Sequence, residues 1–488
     1  FNNDYNAVIS NGNQLQSIGI VLYEDKNVLI PNSGFFIDNT KLRAGVTHSP
    51  IPMVLVGGKD FAGWQYWTQP FNNSNVKATI PYSDPLPLDQ RIIPGVPQQY
   101  PCLYVNDFLE DTLVILPYAN DGTFFFNGNL INPDSKPESY LLPVKDAYFE
   151  YFSISDLMQG IKITRGNGFV DGKMQGYVEV SLVVPLKGGS IQLERKYIAT
   201  PSANNKENLG NFQRTTASLA VFPFVKAIDE TGTYKYNDLF KVMVNSIAPI
   251  TIDFFVNYKT ILFDNSTEFQ QGRVYNYLNR IPRNDTTTNV GGGGGIDVWT
   301  VENTHFDYVK LQLEGGNSGL LIPKWIERKI KAISNKFTAA IDFGTTNTHI
   351  ELLEGDIQTD GNGNDANTHE PLSFTNKGQD CVIGYLGEYT RRDEFFIPTI
   401  ISGDIGTGKV KFPTRTTTIE QKNLNSALSL FSNISICFLY SKLPVTLDYS
   451  LIVNNHKWSI RKEDQRAEER VKAIFEELLL LLRTKILL

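Results

Sequence analysis

From residue 1 to about 320 the chain repeats one pattern, in which short β-branched and aromatic runs alternate apolar with polar and are cut by Gly, Asn, Asp and Pro. A period of two buries one face of a strand but cannot bury one face of a helix, so this region has to fold as β-sheet. Residues 18–23, 27–31, 177–185, 250–258 and 306–313 are such runs. Their turns include Asn32-Ser33-Gly34, Lys187-Gly188-Gly189 and Glu314-Gly315-Gly316-Asn317. The fold class expected is multidomain: a mainly β, sandwich or meander, N-terminal region followed by something different. A looser stretch at 133–143 divides the β region into modules at 1–140 and 141–322. The glycine run 291–295 reads either as a linker or, since strands resume directly after it, as the end of a long hairpin.

The period changes after residue 322. Ile326, Ile330 and Ile333 recur at helical spacing among Lys324, Arg328, Lys329 and Lys331, which predicts a linker helix within 323–336 with a solvated basic face. The last segment is the clearest helix. Val471, Ile474, Phe475, Leu478, Leu479 and Leu482 form one stripe, widened by Leu480 and Leu481. The chain begins at Phe1 without an initiator Met and stops at Leu488 inside that pattern, so a piece of a longer protein is expected.

Composition narrows the function. Of 488 residues, 45 are basic and 52 acidic, for a net charge of −7, so no polyanionic partner such as nucleic acid is indicated. Cys102, Cys381 and Cys437 are odd in number and far apart, which excludes a disulfide framework or a CxxC knuckle and points to a reducing, cytoplasmic setting. The five histidines contain no HExxH or HxxxH pair, so no local zinc site is read. Residues 478–482 are all leucine but are closed by Arg483 and Lys485, far short of the roughly 20 apolar residues that span a bilayer.

One motif carries chemistry. Phe337-Thr338-Ala339-Ala340-Ile341-Asp342 reads as a compact apolar strand ending in a carboxylate, followed by Gly344-Thr345-Thr346-Asn347-Thr348 and a second strand at 349–353. Glycine and hydroxyl residues at such a hairpin end let backbone N–H groups approach phosphate oxygens, while an adjacent Asp can hold the water shell of Mg²⁺.

Residues 340–348, Ala-Ile-Asp-Phe-Gly-Thr-Thr-Asn-Thr, resemble the first phosphate loop of the actin/Hsp70/sugar-kinase ATPase superfamily, closest to its Hsp70-like branch. Pro398-Thr399-Ile400-Ile401 is similar to the Pro-Ser/Thr strand that follows in Hsp70-like chains. The resemblance implies that 337–488 is the N-terminal part of an α/β actin/Hsp70-like (ribonuclease H-like) domain binding ATP with Mg²⁺. Asp342 would stand near the metal, through water, and near the nucleophilic water. Gly344, Thr345, Thr346 and Asn347 would wrap the β- and γ-phosphates. The function implied is a chaperone-like ATPase switch whose β-rich region meets a protein partner. The alternative is a non-enzymatic β-sandwich binding or structural protein in which the Gly-Thr hairpin is only a tight turn.

Other motifs give way to simpler readings. Gly403 to Lys409 has the GxxxxGK spacing, but Val410 replaces the metal-holding Ser/Thr. Asp404-Ile405-Gly406-Thr407-Gly408 resembles a second phosphate loop, yet follows Asp342 too closely and reads as a ribbon turn. The stretch 360–365 begins like a calcium loop, but Asp365 stands where Gly is needed. Aromatic clusters at 61–71 and 124–126 read as β-domain core, and the Asn-x-Ser/Thr sites at Asn72, Asn265, Asn284 and Asn433 carry no weight.

Overall fold

The structure is a computed structural model. It describes residues 37–47, 66–67, 77–78, 105–186, 189–202, 209–229, 231, 238–246, 250–260, 272–278, 295–303, 305–329, 336–344, 347–364, 370–371, 373–375, 383–387, 409–411, 414–415, 418–421, 434–436, 450–453 and 467–487. These residues are mainly β, as the alternation requires. The chain forms two compact units. One comprises Phe1–Thr215, Thr251–Asp253 and Asp307–Ile322, and the other Thr216–Ile250, Phe254–Phe306 and Pro323–Leu488.

The first unit is built on six strands: β1 (Thr112–Leu116), β2 (Ser139–Tyr140), β3 (Ile161–Val170), β4 (Lys173–Leu186), β5 (Gly189–Ile198) and β6 (Leu209–Arg214), in the order β2-β1-β6-β5-β4-β3. β3, β4 and β5 form an antiparallel meander, while β6 runs parallel to both β5 and β1. One sheet therefore spans residue 140, and the expected boundary there does not divide the fold. The loops at 133–143 are not a linker, because Ser139–Tyr140 pairs with Ile115–Leu116 and Leu142 bridges Leu320.

Helix α1 (Ile154–Gly160) starts at a capping box, in which Ser153 and Asp156 satisfy each other's backbone N–H groups. Beside it Phe108, Tyr148, Tyr151 and Phe152 meet mostly edge to face at 5.7–6.3 Å from Phe108, and Phe149 stacks on Tyr308 at 4.6 Å. Phe125 and Phe126 are buried, in keeping with the core reading of 124–126. The expected turn at 314–317 joins strands Tyr308–Leu313 and Ser318–Leu321.

Arg195, in the middle of β5, is 1% exposed. Its Nη1 donates to Leu109 O at 2.9 Å, Glu110 O at 2.8 Å and Asp111 Oδ1 at 2.7 Å. Tyr197 Oη donates to Glu110 O at 2.7 Å, and burial pushes its phenol well above the usual range. A buried guanidinium is tolerated because these acceptors replace its water. Gly210, opposite Tyr197 across β5 and β6, is required sterically, since a Cβ there would overlap the Tyr197 ring and lie 2.6 Å from Asp111 O.

The second unit holds an antiparallel sheet of β7 (Ser218–Phe222), β9 (Asp238–Ser246), β10 (Gly272–Leu278), β11 (Gly295–Asn303) and β16 (Gly384–Leu386), in the order β10-β11-β9-β7-β16. β10 and β11 pair with each other, so the glycine run at 291–295 connects hairpin partners within one unit and is not a domain linker. Strand β8 (Val225–Ile228) pairs in parallel with β12 (Ile326–Lys329). That pairing overturns the linker helix: residues 326–329 are extended, and 330–335 lie outside the described residues. The cause is tertiary. Trp325 stacks on Phe224 at 4.7 Å, meets Phe306 edge-on at 4.9 Å and donates Nε1–H to Phe306 O at 2.9 Å. Ile326 N then donates to Phe224 O at 3.4 Å, drawing the chain into the β8 ladder against its helical spacing.

The C-terminal helix, α2 (Ala467–Leu487), forms as expected. Its buried side runs through Leu478, Leu480, Leu481, Leu482 and Thr484, whereas Leu479 is 52% exposed. Leu479 therefore does not belong to the stripe drawn through it. Thr484 is wholly buried and satisfied by donating Oγ1–H to Leu480 O at 2.7 Å. Among the described residues no helix is long and apolar enough to cross a membrane.

Candidate phosphate-binding hairpin

The strands that flank Gly344-Thr345-Thr346 pair as the expected hairpin. β13 (Phe337–Phe343) pairs antiparallel with β14 (Asn347–Glu354), with Asp342 opposite His349 and Phe343 opposite Thr348. β14 is the central strand of its small sheet. On its other side it pairs with β15 (Glu370–Pro371) and, at Asn347 and Thr348, with β17 (Thr414–Arg415). At the open end Gly355 donates its N–H to Lys336 O at 2.6 Å, and Lys336 Nζ lies 3.1 Å from Asp356 Oδ1.

Pleating gives the hairpin two unlike faces. One carries Ile341 and Phe343 with Thr348 and Ile350, the latter two buried. Phe343, the last residue of β13, packs against Phe475 of α2 with ring centroids 4.9 Å apart. The other face carries Asp342, Ala340, His349 and Glu351. Asp342 is exposed. Directly opposed residues in such a ladder have Cβ atoms about 4.5–5.5 Å apart, so His349 and Asp342 are cross-strand neighbours on this face. His349 Nε2 lies 3.0 Å from Glu351 Oε1, and its Nδ1 is buried without a hydrogen-bond partner among the described residues.

The expected site residues fall as follows. Asp342 and Gly344 stand at the turn end of the hairpin, exposed and half-exposed respectively. Asn347 opens β14, and its side chain, like the whole of Thr345 and Thr346, lies outside the described residues. The compact strand read at 337–342 is less enclosed than expected: Ala339 and Ala340 are exposed and Ile341 is half-buried. β13 pairs only with β14 among the described strands, so small alanines meet solvent on a sheet margin. His349 and Glu351 were not singled out from the sequence. The signal was present, because every second residue of β14 counted from the position opposite Asp342 shares its face.

Among the described residues no group of three or more His, Cys, Asp or Glu side chains is set to hold a metal ion. Asp360, at the start of the calcium-like stretch, instead accepts N–H bonds from Asn362 and Asn364 at 2.8 Å each, and the Asn364 and Asn362 amides hold its carboxyl below the usual range. The aromatic side chains of 61–71, residues 403–408 of the GxxxxGK stretch, Pro398 to Ile401 and the three cysteines lie outside the described residues. Comparison with protein-family models, curated proteins and solved structures gives no match for this chain.

Proposed function

We propose that the region from residue 337 onward is the opening portion of an actin/Hsp70-like, ribonuclease H-like nucleotide-binding domain, and that the end of the β13–β14 hairpin receives the β- and γ-phosphates of ATP. The observation that carries this reading is the split between neighbouring residues: Phe343 is anchored against Phe475, while Asp342 presents its carboxylate to solvent on the opposite face. A strand end anchored on one face and followed by a glycine would let backbone N–H groups approach an anion closely, while the carboxylate beside it would hold the cation that offsets its own repulsion of that anion. Gly344 leaves room for close approach, Thr345 and Thr346 supply hydroxyl donors, and Asn347 closes the loop.

Mg²⁺ keeps most of its waters and takes one or two protein carboxylates, a demand that Asp342 suits; when bound it neutralises charge on the phosphates. Asp342 would also orient the attacking water by accepting its proton in a hydrogen bond. His349 and Glu351, on the same face, would set the local charge around that carboxylate. ATP turnover in this scheme is a switch acting on a β-rich recognition or assembly region that takes a protein partner.

Titration calorimetry with Mg-ATP tests the reading. The wild-type chain gives a saturable heat, and Asp342→Ala and Thr345→Ala weaken the affinity about tenfold or more, a change of about 1.4 kcal/mol. A wild-type chain that gives no heat with Mg-ATP supports the other reading, a β-rich binding protein in which this hairpin is a tight turn.

A further inference from the structure

Asp146, Asp253, Lys310 and Gln312 form a chain of polar contacts in the first unit whose charges do not balance. Along the strand Tyr308–Leu313, alternation turns Val309, Leu311 and Leu313 to one face and Tyr308, Lys310 and Gln312 to the other. The 3-10 helix Asp146–Glu150 packs on that second face: Phe149 stacks on Tyr308 at 4.6 Å, and Lys310 Nζ lies 2.6 Å from Asp146 Oδ2. Asp253 comes from the neighbouring strand Ile250–Val256, and its Oδ2 accepts from Gln312 Nε2 at 3.0 Å.

One ammonium thus answers to two carboxylates. Lys310 is bound to Asp146, while Asp253 receives a neutral amide donor. Asp146 Oδ1 is buried with no hydrogen-bond partner among the described residues, a second sign that the cluster holds more acceptors than donors. Within Ile250–Val256 Asp253 is the single charged residue, and Lys259 of the paired strand Lys259–Thr260 is exposed and stands opposite Val256. Burial is the largest influence on Asp253 and raises its carboxyl above the usual range; the Lys310 charge lowers it and the Asp146 charge raises it again.

We propose that this cluster is a proton-sensitive latch: on mild acidification Asp253 takes a proton from solvent, and the turn Asp146–Glu150 then holds more firmly to the strand Tyr308–Leu313. Asp253 is the carboxylate that yields, because Asp146 keeps the ammonium at 2.6 Å. Once Asp253 is neutral, one cation faces one anion and the Lys310–Asp146 pair no longer competes with a second carboxylate. The direction follows from linkage. A raised carboxyl penalises the fold at neutral pH, and the penalty is relieved as pH falls through the folded value toward the ordinary Asp value of about 3.9.

Amide hydrogen exchange of the full chain, followed by mass spectrometry in peptides covering 146–150 and 308–313 and corrected for the chemical exchange rate at each pH, tests the latch. A local readout separates these groups from other carboxyls of the chain. In the wild-type chain protection of both peptides rises at least about twofold between about pH 7 and about pH 4.5. Asp253→Asn keeps the acceptor for Gln312 and fixes the neutral form, so its protection is already high at neutral pH and does not change on acidification. Gln312→Leu removes the hydrogen bond to the ionised carboxylate and moves the wild-type transition to higher pH. Wild-type protection that is the same at both pH values, or that changes equally in Asp253→Asn, overturns the proposal.

Discussion

The Arg195 clamp of the first unit and the Asp342 hairpin of the second both use strands to place a charged side chain, and they treat it in opposite ways. Arg195 is 1% exposed, and its Nη1 donates to Leu109 O, Glu110 O and Asp111 Oδ1. Asp342 is exposed, and its anchoring falls to the neighbouring residue, Phe343, on the other face. A charge buried among internal acceptors holds the fold together. A charge left in solvent on a fixed backbone retains its capacity for a ligand. Mutation should therefore separate the two: stability ought to fall at the clamp and binding at the hairpin.

The largest effect is expected at the clamp. Arg195→Leu leaves the Leu109 and Glu110 carbonyls buried without that donor and is expected to cost about 3–5 kcal/mol in chemical denaturation. A loss under about 1 kcal/mol would show that water replaces the guanidinium and would remove the contrast. Next comes Gly210→Ala, whose methyl must displace the Tyr197 ring or the Asp111 carbonyl, for about 1–3 kcal/mol. Gly384→Ala, driven into Phe224, should cost a similar amount in the second unit, as tight packing belongs to both units.

The smallest effect concerns Glu138, which accepts from Arg165 at 2.6 Å and Arg214 at 2.7 Å. Its burial opposes ionisation, but the Arg214 and Arg165 hydrogen bonds and charges prevail and hold the carboxyl below the usual range. A lowered carboxyl stabilises the fold fully above the ordinary Glu value of about 4.3, and that stabilisation is lost as pH falls through the lower folded value. Glu138→Gln should flatten the acid limb of the stability curve below about pH 4 and leave its slope near neutrality unchanged; an unaltered acid limb would mean that solvent already screens the cluster.

What could be read from the sequence follows the range of the interactions involved. The strand read at 177–185 and the helix read from Val471 to Leu482 were legible because alternation and helical spacing are local signals; the structure extends them to 173–186 and 467–487. Residues 326–329 were misread because Ile326, Ile330 and Ile333 mimic a helix, while the deciding contacts, Trp325 on Phe224 and Phe306, join positions distant in sequence. The clamp was invisible for the same reason, since Arg195 meets carbonyls 85 and 86 positions away. The hairpin at 337–354 was legible as a motif, whereas His349 and Glu351 became meaningful only once the register placed them on the Asp342 face.

The most direct measurement is the thermal unfolding midpoint of the wild-type and Asp342→Ala chains, each with and without Mg-ATP. Without ligand the two midpoints should agree to within about 0.5 kcal/mol of stability, as for an exposed substitution. With nucleotide at a hundredfold excess over its dissociation constant, the wild-type chain should gain about 2.7 kcal/mol and the variant should gain far less. Equal gains in both chains, or none in the wild type, would contradict the assignment of this hairpin to phosphate.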